Sequence, residues 1–561
     1  MLGSILLIIR WLKSRTEEIM FKRSNPIWKL MFLILCILLI SACAPGATPE
    51  AVSEPTVPVG AQPTQEQPAV QGPVQGGTIT VGIKPEVVNV DATKAGHSTL
   101  DGILEHIVET LVYKDANGQI NGRLATDWES SEDGTEWTFT LREGVTFHDG
   151  TPFNAEAVKL TFERMLNPDF ALARGSFYAP ITEVEVVDEY VVKLKTEEPW
   201  GPILSYLSYV ASAIISPSLS DQQDIQQLIG TGPFKLESWH PGEETVLVRN
   251  DDYWGQIPYV ERLVYREIPE DEARLAAFDT GEIDVALAAP PHLTPAYENN
   301  DEYVVISMPS EETLSLDIVV ARPPFDDARV REAFLRAINM EAIIEGVMFG
   351  SAVPQNAFPS CAPGVTGCIE IPDYHQYDPE HAKELLAEAG YSDGVSVVLL
   401  YPAPRYNRHV EILTALQAQV KEVGFDLQLE SMEFSAFSQE YRKPLDETNF
   451  NMVSWGWVSY IGDIAYNANS RLPSANIPPA CCNLMFYQND EVDQLIGAAN
   501  TETDPATRDE LLAELQELVY QDLPIISLLR YNIVAVHSAK VHDIRFVPGN
   551  NHSFAMAWKD Q

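Results

Sequence analysis

The stretch that decides the fold runs Leu124-Ala125-Thr126-Asp127-Trp128, then Asp133-Gly134-Thr135-Glu136-Trp137-Thr138-Phe139, then Leu141-Arg142-Glu143-Gly144-Val145-Thr146-Phe147-His148-Asp149-Gly150-Thr151-Pro152-Phe153. Trp137 to Leu141 alternates apolar and polar residues, the period of a half-buried strand. Gly144 to Pro152 is rich in turn formers, and Asn154 is placed to cap a helix through Met165. His148-Asp149-Gly150 has the residues of a catalytic pair. It reads better as a turn, because aspartate bonds its own backbone and glycine accepts positive φ.

Working outward, Gly77 to Ile83 alternates as a strand, and Asp101 to Tyr113 spaces Ile103, Leu104, Ile107, Val108 and Leu111 as a helix would. Val184 to Leu194 reads as two strands around Asp188-Glu189. Helices are expected over Ala328–Ile338, Glu341–Val347, Pro379–Ala389, His409–Val423 and Arg508–Gln521, with Gly390 and Gly424 closing two of them. Strands are expected over Val395–Tyr401, Phe425–Glu430 and Asn449–Trp457. Alternating strands and helices over most of the chain define an α/β protein with mixed β-sheets. No fixed-period repeat is visible, which argues against a solenoid or propeller.

The 561 residues carry 37 Lys plus Arg against 81 Asp plus Glu, a formal net charge of −44. A nucleic-acid partner or a polybasic membrane surface needs the opposite balance. Lys22, Arg23 and Lys29 precede an apolar run from Leu30 to Ile40, short for a bilayer span and typical of an export signal. The run ends in Ile40-Ser41-Ala42-Cys43, which resembles the bacterial lipobox and implies cleavage before Cys43 and a lipid on its sulfur. Residues 1–43 are therefore read as a signal peptide with lipobox, and 44–76 as a disordered tether. That tether carries Pro45, Pro49, Pro55, Pro58, Pro63, Pro68 and Pro73. Extended at ~3.1 Å per residue, it reaches up to roughly 100 Å. Such a protein is moored to the outer face of the cell membrane, or in the periplasm, while working in solution.

Four cysteines remain: Cys361, Cys368, Cys481 and Cys482. Cys361 and Cys368 flank a turn-rich loop and are expected to pair. A cross-pairing with the adjacent Cys481 and Cys482, or a zinc site, stays open, although export favours oxidation over zinc.

The quoted signature, with Gly230-Thr231-Gly232-Pro233-Phe234, Asn250-Asp251-Asp252-Tyr253-Trp254-Gly255, Gly281-Glu282-Ile283-Asp284, Arg329-Val330-Arg331-Glu332-Ala333 and Tyr377-Asp378-Pro379-Glu380, resembles the solute-binding proteins of peptide- and nickel-type ABC importers. The resemblance runs from Gly76 nearly to the C-terminus. It implies a two-lobe periplasmic-binding-protein-like fold with a hinge, of the large peptide-binding type with an inserted domain. By resemblance, 77–115, 225–320 and 521–561 form lobe I, 116–224 the insertion and 321–520 lobe II. It further implies a monomer that captures an oligopeptide or dipeptide and delivers it to a membrane permease with ATPase subunits. Oligosaccharide, a nickel or other metal chelate, or a signalling role are the alternatives.

The same resemblance places the ligand on Trp455, Gly456, Trp457, Tyr460 and Asp463, with Asp463 receiving an α-ammonium, although Ser459 stands where the family often has a second aspartate. Gly96, His97 and Ser98 would border the cleft. Core packing is the alternative for the tryptophans, with Trp457 read as facing the ligand and Trp455 suiting either, and Asp463 equally suits a cap. Arg405 reads as a solvated loop residue. No cofactor and no metal are expected. An enzyme is not expected either: the chain has no His-Glu-x-x-His, no Gly-x-Ser-x-Gly and no Cys-x-x-Cys.

Overall fold

The computed structural model describes residues 72–84, 87–94, 98–403, 405–549 and 552–560. The signal, Cys43, most of the tether, Gly96, His97 and the side chain of Ser98 lie outside the described residues.

An eleven-stranded mixed sheet organises the body. At one end, Thr78–Ile83 lies parallel to both Arg262–Glu267 and Val285–Leu287, and the hairpin Phe234–His240 with Glu244–Arg249 forms the edge. At the other end, Val395–Pro402 lies parallel to both Phe425–Met432 and Met452–Trp457. Two long antiparallel strands, Tyr303–Ile318 and Ile525–Ser538, run through both ends and join them. Their pairing breaks midway. Between the pairs Pro309–Asn532 and Thr313–Arg530, Ser310, Glu311 and Glu312 stand against Tyr531 alone. Extra residues on one strand of a pair bend it, so the joint between the two ends of the sheet is built into its register.

The signature stretch forms a separate four-stranded antiparallel sheet, in the order Ala125–Ser130, Glu136–Leu141, Val191–Thr196, Ile181–Asp188. Trp137, Phe139 and Leu141 point into the same buried cluster as Ile79, Val81 and Ile83 of the large sheet. This sheet is thus packed onto the first end rather than standing apart. Asn154 caps the helix Ala155–Leu166 by accepting from the Ala157 amide at 3.2 Å. His148 bonds the Gly232 carbonyl through Nε2 at 3.0 Å, and Asp149 accepts from Ser216 and Ser218. The signature's polar residues therefore fasten turns together.

One expected helix stops early. Apolar spacing extends it to Tyr113, but the helix spans only Ser98–Leu104. The following backbone turns away to pair with the Gly230–Phe234 loop. The Gly232 amide donates to the Ile107 carbonyl, and the Phe234 amide donates to the His106 carbonyl. A Cβ on Gly230 would lie 2.2 Å from the Ile107 oxygen, and one on Gly232 2.6 Å from the His106 oxygen. Only glycine admits that approach. Ile107, Val108 and Leu111 are buried as the pattern implied, in a different backbone conformation.

Cys361 is bonded to Cys368, with Cα atoms 5.5 Å apart, and Cys481 is bonded to Cys482. Among the described residues no helix is long and apolar enough to cross a membrane.

Candidate functional site

A cavity of about 280 Å³ opens beside the break in the long strands. Glu311, from the bulge itself, is on its wall. The segment after the Ser98–Leu104 helix and the hairpin Val112–Lys114 with Ile120–Gly122 supply one side. The other side comes from residues 458–462, which follow the strand Met452–Trp457, and from Pro363 and Gly364 of the disulfide loop.

Lys114 spans these two sides. Its Nζ donates to the Ser205 hydroxyl at 3.0 Å, to the Ile461 carbonyl at 3.1 Å and to the Gly462 carbonyl. Burial lowers the Lys114 ammonium to about 8, with Asp463 and Glu311 holding it up against that loss. At neutral pH it stays charged and fully engaged.

Tyr460, expected at the ligand, lies on the cavity wall. The Arg174 guanidinium sits over its ring at 4.4 Å, and the Tyr209 ring is 5.9 Å away. The other expected residues are placed elsewhere. Trp455 and Trp457 are 7% and 1% exposed and belong to a core cluster, not to the wall. Their indoles hold the Arg471 guanidinium, at 3.4 and 4.2 Å from the ring centres, and Trp455 Nε1 donates to Asp317 at 2.8 Å. Trp457 also packs edge-on against Phe358. Gly456 admits the Tyr406 ring, which a Cβ there would meet at 2.6 Å.

Asp463 has no exposed surface. Arg508 grips it from both nitrogens, at 2.8 and 3.1 Å, while the Ser205 hydroxyl and the Ala465 amide donate at 3.2 and 2.9 Å. Burial alone would raise its carboxyl, but Arg508, with help from Lys114, outweighs that and holds it below the ordinary value. With its acceptor positions filled from inside the protein, this carboxylate is an internal brace, and the expected ammonium contact has no place on it in this structure. Arg405 is exposed and lies 3.8 Å over the Phe434 ring, as a loop arginine does.

The wall residues that sequence reading missed are carboxylates. Asp101 accepts from the Tyr209 hydroxyl at 3.1 Å through one oxygen. Burial pushes it up to about 7, opposed by that bond and by Arg174. Glu311 is likewise raised to about 7 by burial, with Lys114 opposing. Glu109 is raised by burial too, but it is well partnered. It accepts from Thr231, Tyr253 and Trp254 at 2.9, 2.8 and 2.8 Å. His106 stays a neutral imidazole, lowered to about 4 by burial. Its Nδ1 donates to the Gly102 carbonyl and its Nε2 accepts from the Phe554 amide. For Glu311 the available signal was a pair of adjacent acids, Glu311-Glu312, midway along a long strand.

Two sheet ends joined by two long, broken strands, with a cavity open beside the break, define a two-lobe binding protein. Residues 119–478, more than half of the chain, match the model of the bacterial extracellular solute-binding proteins, family 5. The chain belongs to that family. The glutathione-binding protein GsiB of Salmonella typhi is 29% identical over 484 residues, 85% of this chain and 93% of that protein. Among solved structures, the periplasmic binding protein DppA of Helicobacter pylori, in complex with the peptide STSA, superposes with a TM-score of 0.71 at 26% identity. The match covers 87% of this chain and 99% of that one. NikA of Brucella suis, in complex with Fe(III)-EDTA, gives 0.76 at 25% identity, covering 86% and 100%.

Proposed function

We propose that this chain is the lipid-anchored substrate-binding component of an ABC importer, taking up a short peptide and presenting it to a membrane permease and its ATPase subunits. The observation that carries the reading is the cavity at the strand break, walled by segments from both ends of the sheet and bridged by Lys114. Its volume of about 280 Å³ lies at the small end of ligand pockets and suits two to four residues better than a long peptide. A relative named for glutathione, a tripeptide, and a likeness solved with STSA agree with that size class. The oligosaccharide alternative leaned on Trp455 and Trp457 as stacking faces, and both are core residues.

In this reading 77–115, 225–320 and 521–561 form one lobe, 116–224 its insertion and 321–520 the other, except that a hinge at the Glu311 bulge moves 312–320 and 521–530 to the second lobe, where Thr313–Ile318 pairs with Met452–Trp457. The protein acts as a monomer held by lipid on Cys43, and does no chemistry on its solute. Native mass spectrometry of protein purified without denaturation tests the ligand class: a bound mass matching a di- to tetrapeptide is expected, and a bound sugar or metal chelate would replace the reading. For the anchor, Cys43→Ser should leave the protein without the mass of a diacylglycerol and shift it out of the membrane fraction. Unchanged partition and mass would refute lipidation.

A further inference from the structure

Two turns on the cavity wall meet backbone to backbone. One is Asp115 to Gly118, at the tip of the hairpin Val112–Lys114 with Ile120–Gly122, where the Gly118 amide donates to the Asp115 carbonyl at 3.0 Å. The other is Ala362 to Val365, inside the ring that the Cys361–Cys368 disulfide closes. Its Val365 amide donates to the Ala362 carbonyl at 3.1 Å, and Pro363-Gly364, with Gly364 at φ +87°, has the central residues of a type II turn. A Cβ on Gly118 would lie 2.6 Å from the Gly364 oxygen, and one on Gly364 2.9 Å from the Ala116 oxygen. Each turn therefore admits the other only as glycine. The two turns are carried by opposite ends of the large sheet. Val112, at the foot of the hairpin, is buried with Ile79 and Val81, whereas Cys361, Ala362 and Val365 are buried with Val453 and Trp455.

The disulfide loop also fastens the neighbouring wall segment. The Thr366 amide donates to the Gly462 carbonyl at 2.9 Å, and the Ile464 amide donates to the Thr366 carbonyl at 3.1 Å. Lys114, from the hairpin, donates to that same Gly462 carbonyl and to the one before it. Ile461 follows a strand of the second end, but it is 2% exposed within the buried cluster of the first. All of these contacts are made by the protein with itself, so they stabilise the closed arrangement whatever the solute. We propose that the Cys361–Cys368 loop is one half of a clasp, with Lys114 and the turn Asp115 to Gly118 as the other half, which biases the protein toward its closed form and so sets how tightly a solute is kept. The proposal rests on the two-lobe reading of the cavity and adds a determinant of closure that lies outside the solute. Apparent affinity scales with the population of the binding-competent form, so loosening the clasp weakens capture without touching a solute contact. The disulfide matters because its ring presents Gly364 to the hairpin and holds Thr366 against the Gly462 carbonyl that Lys114 grips.

Asparagine accepts positive φ, so Gly364→Asn keeps the turn and drives a side chain into the Ala116 backbone. Gly144→Asn is the matched control, at a glycine with φ +75° and nothing within 4 Å of its Cβ. Cys361→Ser combined with Cys368→Ser opens the ring. Wild type and these variants, as full-length mature protein, are compared without solute by small-angle scattering and amide exchange. They are then titrated calorimetrically with a mixture of di- to tetrapeptides carrying free amines. Gly364→Asn and the doubly substituted variant should show a larger radius of gyration than wild type, exchange faster over 458–464, and bind the peptides about fivefold or more weakly. Gly144→Asn should match wild type in all three. If wild type takes up none of the peptides, the peptide reading falls and the comparison without solute decides the clasp. A Gly364→Asn protein as compact and as slow to exchange over 458–464 as Gly144→Asn, or one that binds the peptides as tightly, would overturn the proposal.

Discussion

Asp463 and Asp101 are both deeply buried aspartates beside aromatic rings, and their partners make them opposites. Asp463 is filled by Arg508, Ser205 and a backbone amide, so removing one partner leaves an uncompensated charge. Asp463→Asn or Arg508→Met should cost about 3–5 kcal/mol in denaturant unfolding. Because the folded carboxyl is held below its ordinary value, this stabilisation is present above the usual carboxylate range. It is lost as pH falls through the lowered folded value. Asp101 and Glu311 run the other way. Their folded carboxyls sit at about 7, above ordinary values of 3.8 and 4.5, so stability falls as pH rises from about 4 to about 7 and stays low above that. Asp101→Asn and Glu311→Gln should therefore raise stability by roughly 1–2 kcal/mol at pH 8 and change little at pH 4. A loss at pH 8 would show that these carboxylates brace the fold instead.

At the scale of elements, local chemistry was readable and tertiary overrides were not. His409–Val423 begins and ends where its apolar spacing and Gly424 place it, and Asn154 caps the helix it precedes. The helix expected to reach Tyr113 fails at Leu104, because its continuation bonds a loop more than a hundred residues away, which no local period records. The same limit explains the site. Trp455 and Trp457 share one strand face, but only the position of Arg471 and Phe358 in space makes that face a core. Tyr460, placed near the ligand by the resemblance, follows the strand into the loop that lines the cavity. Asp101 was not legible, because nothing in its sequence neighbours tells of a buried oxygen without a hydrogen-bond partner. Gly232→Ala tests the override directly. Its Cβ would meet the His106 carbonyl, and a loss of about 1–3 kcal/mol is expected. Gly346→Ala, in open space at a helix end, should be neutral or slightly stabilising.

For the whole molecule, the proposed function makes the bulge of Glu311 opposite Tyr531 the joint about which two lobes close on a small solute. Separate buried clusters underlie the two ends of the sheet, one holding Ile79, Val81 and Leu263 and the other Leu316, Val397 and Ile526, and the two long strands cross between them. Ligand then shifts a balance between open and closed forms, because only the closed form lets both walls touch it. The most direct measurement is small-angle X-ray scattering of the mature protein, with and without the free-amine peptide mixture, at a concentration where calorimetry shows saturation. Closure about this joint predicts a smaller radius of gyration with the peptides bound. A radius that stays the same at proven saturation would contradict closure about this joint.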